Sequence, residues 1–170
     1  MNFQKLMEDS TKIKIVTKDG KEIQLTKKAA ELSELLKQTI NDFPNEEIFP
    51  LKEIDEKNAE RIKEYLCHFN GNVPPEIKKP LTSTNMKNIT DEWSAYFVDR
   101  MSLDDLVNLN VAANYMGINC LLDLCSAKIA TFFKDKSEEE ILKEFNISEP
   151  LTEEEKNKIR EENKWIEENI

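Results

Sequence analysis

Apolar and polar positions alternate at the start of the chain and then change period. Ile13 and Ile15, and again Ile23 and Leu25, are separated by polar residues on either side of Lys18-Asp19-Gly20-Lys21. Asp-Gly between two alternating runs predicts a β-hairpin. From Lys27 to Ile40 the residues Ala29, Ala30, Leu32, Leu35, Leu36 and Ile40 fall at helical spacings, and Ser33 followed by Glu34 predicts a break into two short helices near residue 32. Ile48-Phe49-Pro50-Leu51 is too brief for a helix and reads as a third strand, which Pro50 confines to an edge or a strand end because it has no N–H to donate. Asp55 caps an amphipathic helix with the apolar face Ala59, Ile62, Tyr65, Leu66 and Phe69, closed by Asn70-Gly71.

Periodicity then lapses. Gly71 to about Thr90 holds Pro74, Pro75 and Pro80 and is expected to be a long exposed loop that need not be ordered. Trp93, Tyr96, Phe97 and Val98 form an aromatic cluster expected to re-enter the core. Ser102, with Asp105 three residues on, caps the next helix. The stretch Leu109 to Phe133 is the most apolar in the chain, with Leu109, Val111, Ala112, Ala113 and Met116 before Gly117 and Leu121, Leu122, Leu124, Ile129, Phe132 and Phe133 after it. It predicts two helices hinged at a glycine and apolar over most of their circumference. Any surface that such helices expose is expected to be an interface.

Beyond Lys134 the pattern is charged and still helical. Ser137-Glu138-Glu139-Glu140 and Thr152-Glu153-Glu154-Glu155 each put a hydroxyl at a cap with Glu three residues later, and acidic side chains in a first turn suit the helix dipole. Helices are expected at about 137–145 and 152–168, with i,i+4 pairs Glu139–Lys143 and Glu154–Lys158. Their apolar residues, Ile141, Leu142, Phe145 and Ile147, then Ile159, Trp165 and Ile166, are too sparse to bury much area unaided, so these helices need the core or a second protein.

Composition narrows the function. The 170 residues include 39% hydrophobic ones, enough for one sizeable core. The formal charge is −10; residues 134–170, with thirteen Asp/Glu against seven Lys/Arg, carry −6 of it. Such a chain is not a sequence-independent phosphate binder, so no nucleic-acid partner is expected. No apolar run approaches the roughly 18 residues of a membrane span. The start MNFQKLMEDSTK has no apolar signal-like region, and the three cysteines are an odd number, so reduced thiols and a cytoplasmic and nuclear location are expected.

Catalytic chemistry finds little support. Cys67 and His68 are adjacent on a helix and so point about 100° apart, which prevents a thiol–imidazole pair. Cys67, His68, Cys120 and Cys125 lack metal-site spacing, and three glycines leave no phosphate-cradling loop. No enzyme activity and no cofactor are expected.

Several motifs then converge: Leu51 in IFPL, Asp91 to Phe97 around Trp93, Ala112-Ala113-Asn114-Tyr115 with Leu121-Leu122-Asp123, Glu139-Glu140-Ile141, Phe145-Asn146-Ile147, and Thr152-Glu153-Glu154-Glu155 through Ile159-Arg160-Glu161-Glu162-Asn163-Lys164-Trp165. On these the chain, from about Ile13 to Glu168, resembles the S-phase kinase-associated protein (Skp) family, adaptors that join F-box proteins to a cullin in SCF ubiquitin ligases. It departs at Ile166, where relatives carry Cys, at Glu153, where some protist relatives carry a proline that can be hydroxylated, and in 71–90, which lacks their acidic run.

The resemblance implies an α/β (α+β) fold: a BTB/POZ domain with a small three-stranded sheet and helices over residues 12–133, behind a flexible 1–11, and a helical F-box-binding extension over 134–170. It implies that Asn114 and Tyr115 face the cullin scaffold. Ile129, Phe133, Ile141, Phe145, Ile147, Ile159, Asn163 and Trp165 would contact F-box proteins. A weak homodimer is a further expectation when no F-box protein is bound. An elongin-type or other BTB dimerisation adaptor would share the first 133 residues and lack the two capped helices and the Trp165 ending.

Overall fold

Residues 11–147 and 151–164 are described in a computed structural model of the chain, so the expectations for residues 1–10, Trp165 and Ile166 lie outside the described residues. Two compact units are present, residues 1–132 and 133–170.

In the first unit the alternating runs become β1 (Lys12–Thr17) and β2 (Glu22–Thr26), antiparallel with Ile13 opposite Leu25 and Ile15 opposite Ile23. Gly20 supplies the positive φ, +80°, that the tight turn requires. Strand β3 (Ile48–Leu51) lies parallel to β1 on its other side, giving the order β2-β1-β3 and leaving Pro50 on an edge, where its missing N–H costs nothing. Alternation puts Ile13, Ile15, Ile23, Leu25, Phe49 and Leu51 on one buried face.

Helices cover that face. The break near residue 32 separates α1 (Lys27–Ala30) from α2 (Glu34–Asp42), capped by Thr26 and Ser33. Helix α3 (Glu56–Phe69) starts at the Asp55 cap and stops where Asn70 adopts a left-handed conformation. It buries Ala59, Ile62, Tyr65, Leu66 and Phe69 as its spacing predicts.

Residues 71–90 differ from the expected exposed loop. Pro74, Ile77 and Met86 are buried, and Met86–Asn88 forms a short 3₁₀ turn. Single apolar residues at irregular intervals leave no periodic signal, yet each fills a gap in the core and pins the segment.

Helix α4 (Glu92–Asp99) buries Ala95, Phe97 and Val98. Its aromatic cluster does not re-enter the core whole: Tyr96 is 63% exposed. Trp93 and Phe97 share a face at i,i+4, whereas Tyr96 is turned about 100° from Phe97.

Helices α5 (Leu103–Tyr115) and α6 (Asn119–Phe133) meet at Gly117, whose φ is +63°. The junction is clasped by the start of α2. The buried Ser33 hydroxyl donates to the Met116 carbonyl at 2.6 Å and accepts the Leu36 N–H, while Asn119 donates to Glu34 at 3.0 Å. A Cβ at Gly117 would lie 2.8 Å from the Glu34 Cβ. Gly117→Ala is therefore expected to destabilise the fold by about 1–3 kcal/mol, through strain and overpacking together, as read from the urea midpoint at unchanged slope.

Asp105 joins α5 to α3, accepting hydrogen bonds from Arg61 at 2.6 Å and Lys57 at 2.5 Å. Arg61 and Lys57 hold its carboxyl well below the usual carboxylate range. A depressed folded-state value means that the contribution is complete above the unfolded-chain value near ~4 and is lost as pH falls towards the folded one. Asp105→Asn should cost about 1 kcal/mol at neutral pH and much less at pH ~2, measured by urea unfolding across that range.

In the second unit Ser137 and Thr152 close full capping boxes at α7 (Glu138–Glu144) and α8 (Glu153–Glu162). Within the described residues α8 is interrupted at Asn163, and the part of the expected helix from 165 to 168 lies outside the described residues. The expected Glu139–Lys143 and Glu154–Lys158 pairs give way to Lys136–Glu144 and to Lys156–Glu138 at 3.3 Å. Long side chains on exposed helices select partners across the unit as readily as along one helix, which the sequence does not encode.

Candidate functional site

Helix α5 has two apolar faces, and only one of them is buried. Leu106, Leu109, Ala112 and Ala113 are packed into the core. Val107, Val111 and Tyr115, at i, i+4 and i+8, form a stripe on the other side and remain 45%, 65% and 42% exposed. Asn114 is exposed beside Tyr115 at the last turn. The sequence singles out Asn114 and Tyr115, but its pattern places Val111 in the buried centre. Apolar spacing marks a face without saying whether the core or a partner covers it, and Val107 and Val111 are the residues that spacing misses as surface. Covering three half-exposed side chains of this size is worth about 3 kcal/mol.

This stripe sits on a rigid base. The clasp of Ser33 and Glu34 on Met116, Gly117 and Asn119 holds the residues that follow Tyr115, so the end of α5 is fixed before any partner arrives.

The second set of candidate residues lies towards the chain end. In the first unit Ile129 is half-buried on α6. In the second, Phe133 is exposed and its ring stacks on Phe145, 5.2 Å between centroids. Ile141 is half-buried, and Ile147 and Ile159 are exposed. Asn163 turns its side chain back, donating one N–H to the Ile159 carbonyl at 2.8 Å, so it finishes α8 and keeps its second N–H and its amide oxygen for a partner. Trp165 is outside the described residues.

The physical character of α7 and α8 is unusual. Each has a complete N-terminal capping box and three glutamates in its first turn, yet neither buries a single residue. Caps and dipole complementarity set where these helices begin. They do not supply the burial that keeps short helices formed in water.

Among the described residues, the reactive groups do not form a competing site. Burial raises the Cys67 thiol above its ordinary value, with Lys63 opposing, and burial pushes Cys125 up to about 12. Thiols shifted that way are poor nucleophiles. His68 is stacked flat on Trp93 at 3.6 Å. Among the described residues no group of three His, Cys, Asp or Glu could hold a metal ion, and no helix is long and apolar enough to cross a membrane.

A three-stranded sheet in the order β2-β1-β3 under a layer of helices, one exposed apolar stripe, and an extension of capped but unburied helices define a POZ-type interaction domain with a helical appendage. Comparison with known proteins takes this further. Residues 11–71 match the tetramerisation domain of the Skp1 family and residues 119–166 its dimerisation domain. The chain is 40% identical over 159 residues to the S-phase kinase-associated protein 1 homolog of Tetrahymena thermophila, covering 94% of this chain and 96% of that one. It is 33% identical to the E3 ubiquitin ligase complex SCF subunit sconC of Arthroderma otae, over 93% and 96% of the two chains, and to that of Aspergillus fumigatus, over 93% and 99%. The chain belongs to the Skp1 family.

Proposed function

We propose that this chain is the adaptor subunit of an SCF-type ubiquitin ligase, bridging a cullin scaffold to exchangeable F-box substrate receptors in the cytoplasm and nucleus. Family membership and the names of its relatives support the adaptor role. The structural observation that carries it is the pair of capped helices that bury nothing, α7 and α8. Such helices gain their missing apolar cover from a partner, and the F-box supplies it at Phe133, Ile141, Phe145, Ile147 and Ile159, together with Ile129, Asn163 and Trp165. The cullin takes the other surface, the α5 stripe of Val107, Val111 and Tyr115 with Asn114.

No bond is made or broken by the adaptor. It acts by geometry: a receptor-bound substrate is held at a fixed place relative to the catalytic end of the ligase. In the absence of an F-box protein the same uncovered residues associate weakly with those of a second copy.

Hydrogen exchange tests this reading. Amides of α7 and α8 are expected to exchange rapidly in the free chain and to gain at least about ten-fold protection on adding an F-box peptide, since that peptide completes the burial. Equal protection with and without the peptide would overturn it.

A further inference from the structure

Of the asparagines in the chain, only Asn70 is followed by glycine. That pair has a chemistry of its own, independent of the adaptor role. With no side chain at Gly71 to obstruct it, the Gly71 main-chain nitrogen can attack the Asn70 Cγ and close a succinimide ring, which water then opens. The reaction has a geometric condition: the Asn70 Cβ and the Gly71 nitrogen must lie on the same side of the Asn70 Cα–C bond.

The end of α3 denies that condition. Asn70 is held left-handed at φ 45° and ψ 52°. Cβ is displaced from the main-chain nitrogen by a third of a turn about the Cα–C axis, so this ψ leaves the Gly71 nitrogen nearly trans to Cβ and out of reach of Cγ. The conformer is fixed from several sides. The Asn70 N–H donates to the Leu66 carbonyl at 2.8 Å, and the Asn72 N–H and side chain both donate to the Phe69 carbonyl, at 2.9 and 2.8 Å. The Thr26 hydroxyl, which caps α1 by accepting the Ala29 N–H, donates to the Asn70 Oδ1 at 3.2 Å. Gly71 is seated against α1: a Cβ there would lie 2.9 Å from both the Cγ and the carbonyl oxygen of Lys28. Turning the Asn70 ψ as cyclisation requires swings Gly71 out of this seat, so the junction of α1 with α3 must open first. Conformation alone guards the site, because Asn70 is exposed and the Gly71 N–H donates no hydrogen bond among the described residues.

We propose that Asn70 is a deamidation site gated by opening of the junction between α1 and α3, and that its conversion runs one way. In the opened segment the Gly71 nitrogen gives its proton to water, bonds to the Asn70 Cγ and expels the side-chain nitrogen as ammonia. Hydrolysis at either ring carbonyl leaves aspartate or isoaspartate at position 70, with water as the sole co-reactant. Neither product restores the junction. Aspartate puts a carboxylate at the negative end of the α3 dipole, in a turn that the Glu31 Oε2 already reaches, 3.6 Å from the place of a Cβ on Gly71. Isoaspartate routes the main chain through the side-chain carbon, and the lengthened backbone no longer fits the left-handed cap.

The test is peptide mapping by mass spectrometry of the full chain aged at mildly alkaline pH, folded and in denaturing urea, with the two products resolved by chromatography. Conversion at Asn70 is expected to be at least about ten-fold slower in the folded chain, since only the opened fraction reacts. Thr26→Ala, which removes the clasp on Asn70, should speed the folded reaction about five-fold, the effect of losing one cap, and leave the unfolded rate unchanged. Ser137→Ala removes a cap in the second unit and should leave both rates unchanged. Asn70→Gly keeps a residue suited to the left-handed cap and should abolish the reaction. The converted chain, once purified, should unfold at lower urea than its parent. Equal rates folded and unfolded, no conversion of the unfolded chain, a Ser137→Ala effect equal to that of Thr26→Ala, or a converted chain as stable as its parent would overturn the proposal.

Discussion

The double variant Phe145→Ala/Ile147→Ala is expected to lose at least about 2 kcal/mol of F-box affinity, roughly 30-fold or more, with cullin affinity unchanged. The Phe145 ring is stacked on Phe133, and Ile147 is exposed just past the end of α7. Aromatic side chains left uncovered beside other apolar ones are where binding energy concentrates. Neither residue is buried in the free chain, so truncation removes little native packing and the loss is one of binding. Trp165→Ala, in the separate motif that ends the matched stretch, should act in the same direction. Calorimetric titration with an F-box peptide measures it; a parallel loss of cullin affinity would mean that the two faces are not separate.

The reciprocal expectation is for α5. Val111→Lys with Tyr115→Lys should weaken a cullin N-terminal fragment by at least about 30-fold and leave F-box binding intact. Both side chains point away from the core, at 65% and 42% exposure, so two lysines are accommodated in the free chain. In the complex each would place an ammonium in a desolvated apolar contact, which is costly unless paired. Unchanged cullin affinity would remove the α5 stripe from the interface.

Local rules make much of the architecture legible. The Asp-Gly turn, the break at Ser33, the edge strand with Pro50, and the caps Asp55, Ser102, Ser137 and Thr152 each follow from the chemistry of a few adjacent residues, and the structure has them where expected. The features that are not legible depend on distant neighbours. Pro74, Ile77 and Met86 carry no period, and only the finished core shows the gaps they fill. Tyr96 reads as core because it sits among aromatics, and one step of helical rotation puts it in water.

The candidate faces divide along the same line. Asn114, Tyr115 and the tail residues are marked by motifs shared with a family. Val107 and Val111 are hidden by their own hydrophobicity: the pattern that marks a core helix also marks a docking helix, and the distinction emerges only when the buried side of α5 is seen to be Leu106, Leu109, Ala112 and Ala113. The fold limits which side can be which, since the clasp on Gly117 and Met116 fixes the end of α5 against α2.

An adaptor of this kind needs its two faces to act independently, and one measurement bears on that directly. The full chain is immobilised, saturated with an F-box peptide, and titrated with a cullin N-terminal fragment by surface plasmon resonance. With two separate faces it binds the fragment at full stoichiometry and with an affinity within about two-fold of the peptide-free value. Exclusion of one partner by the other, or loss of stoichiometry, would contradict it.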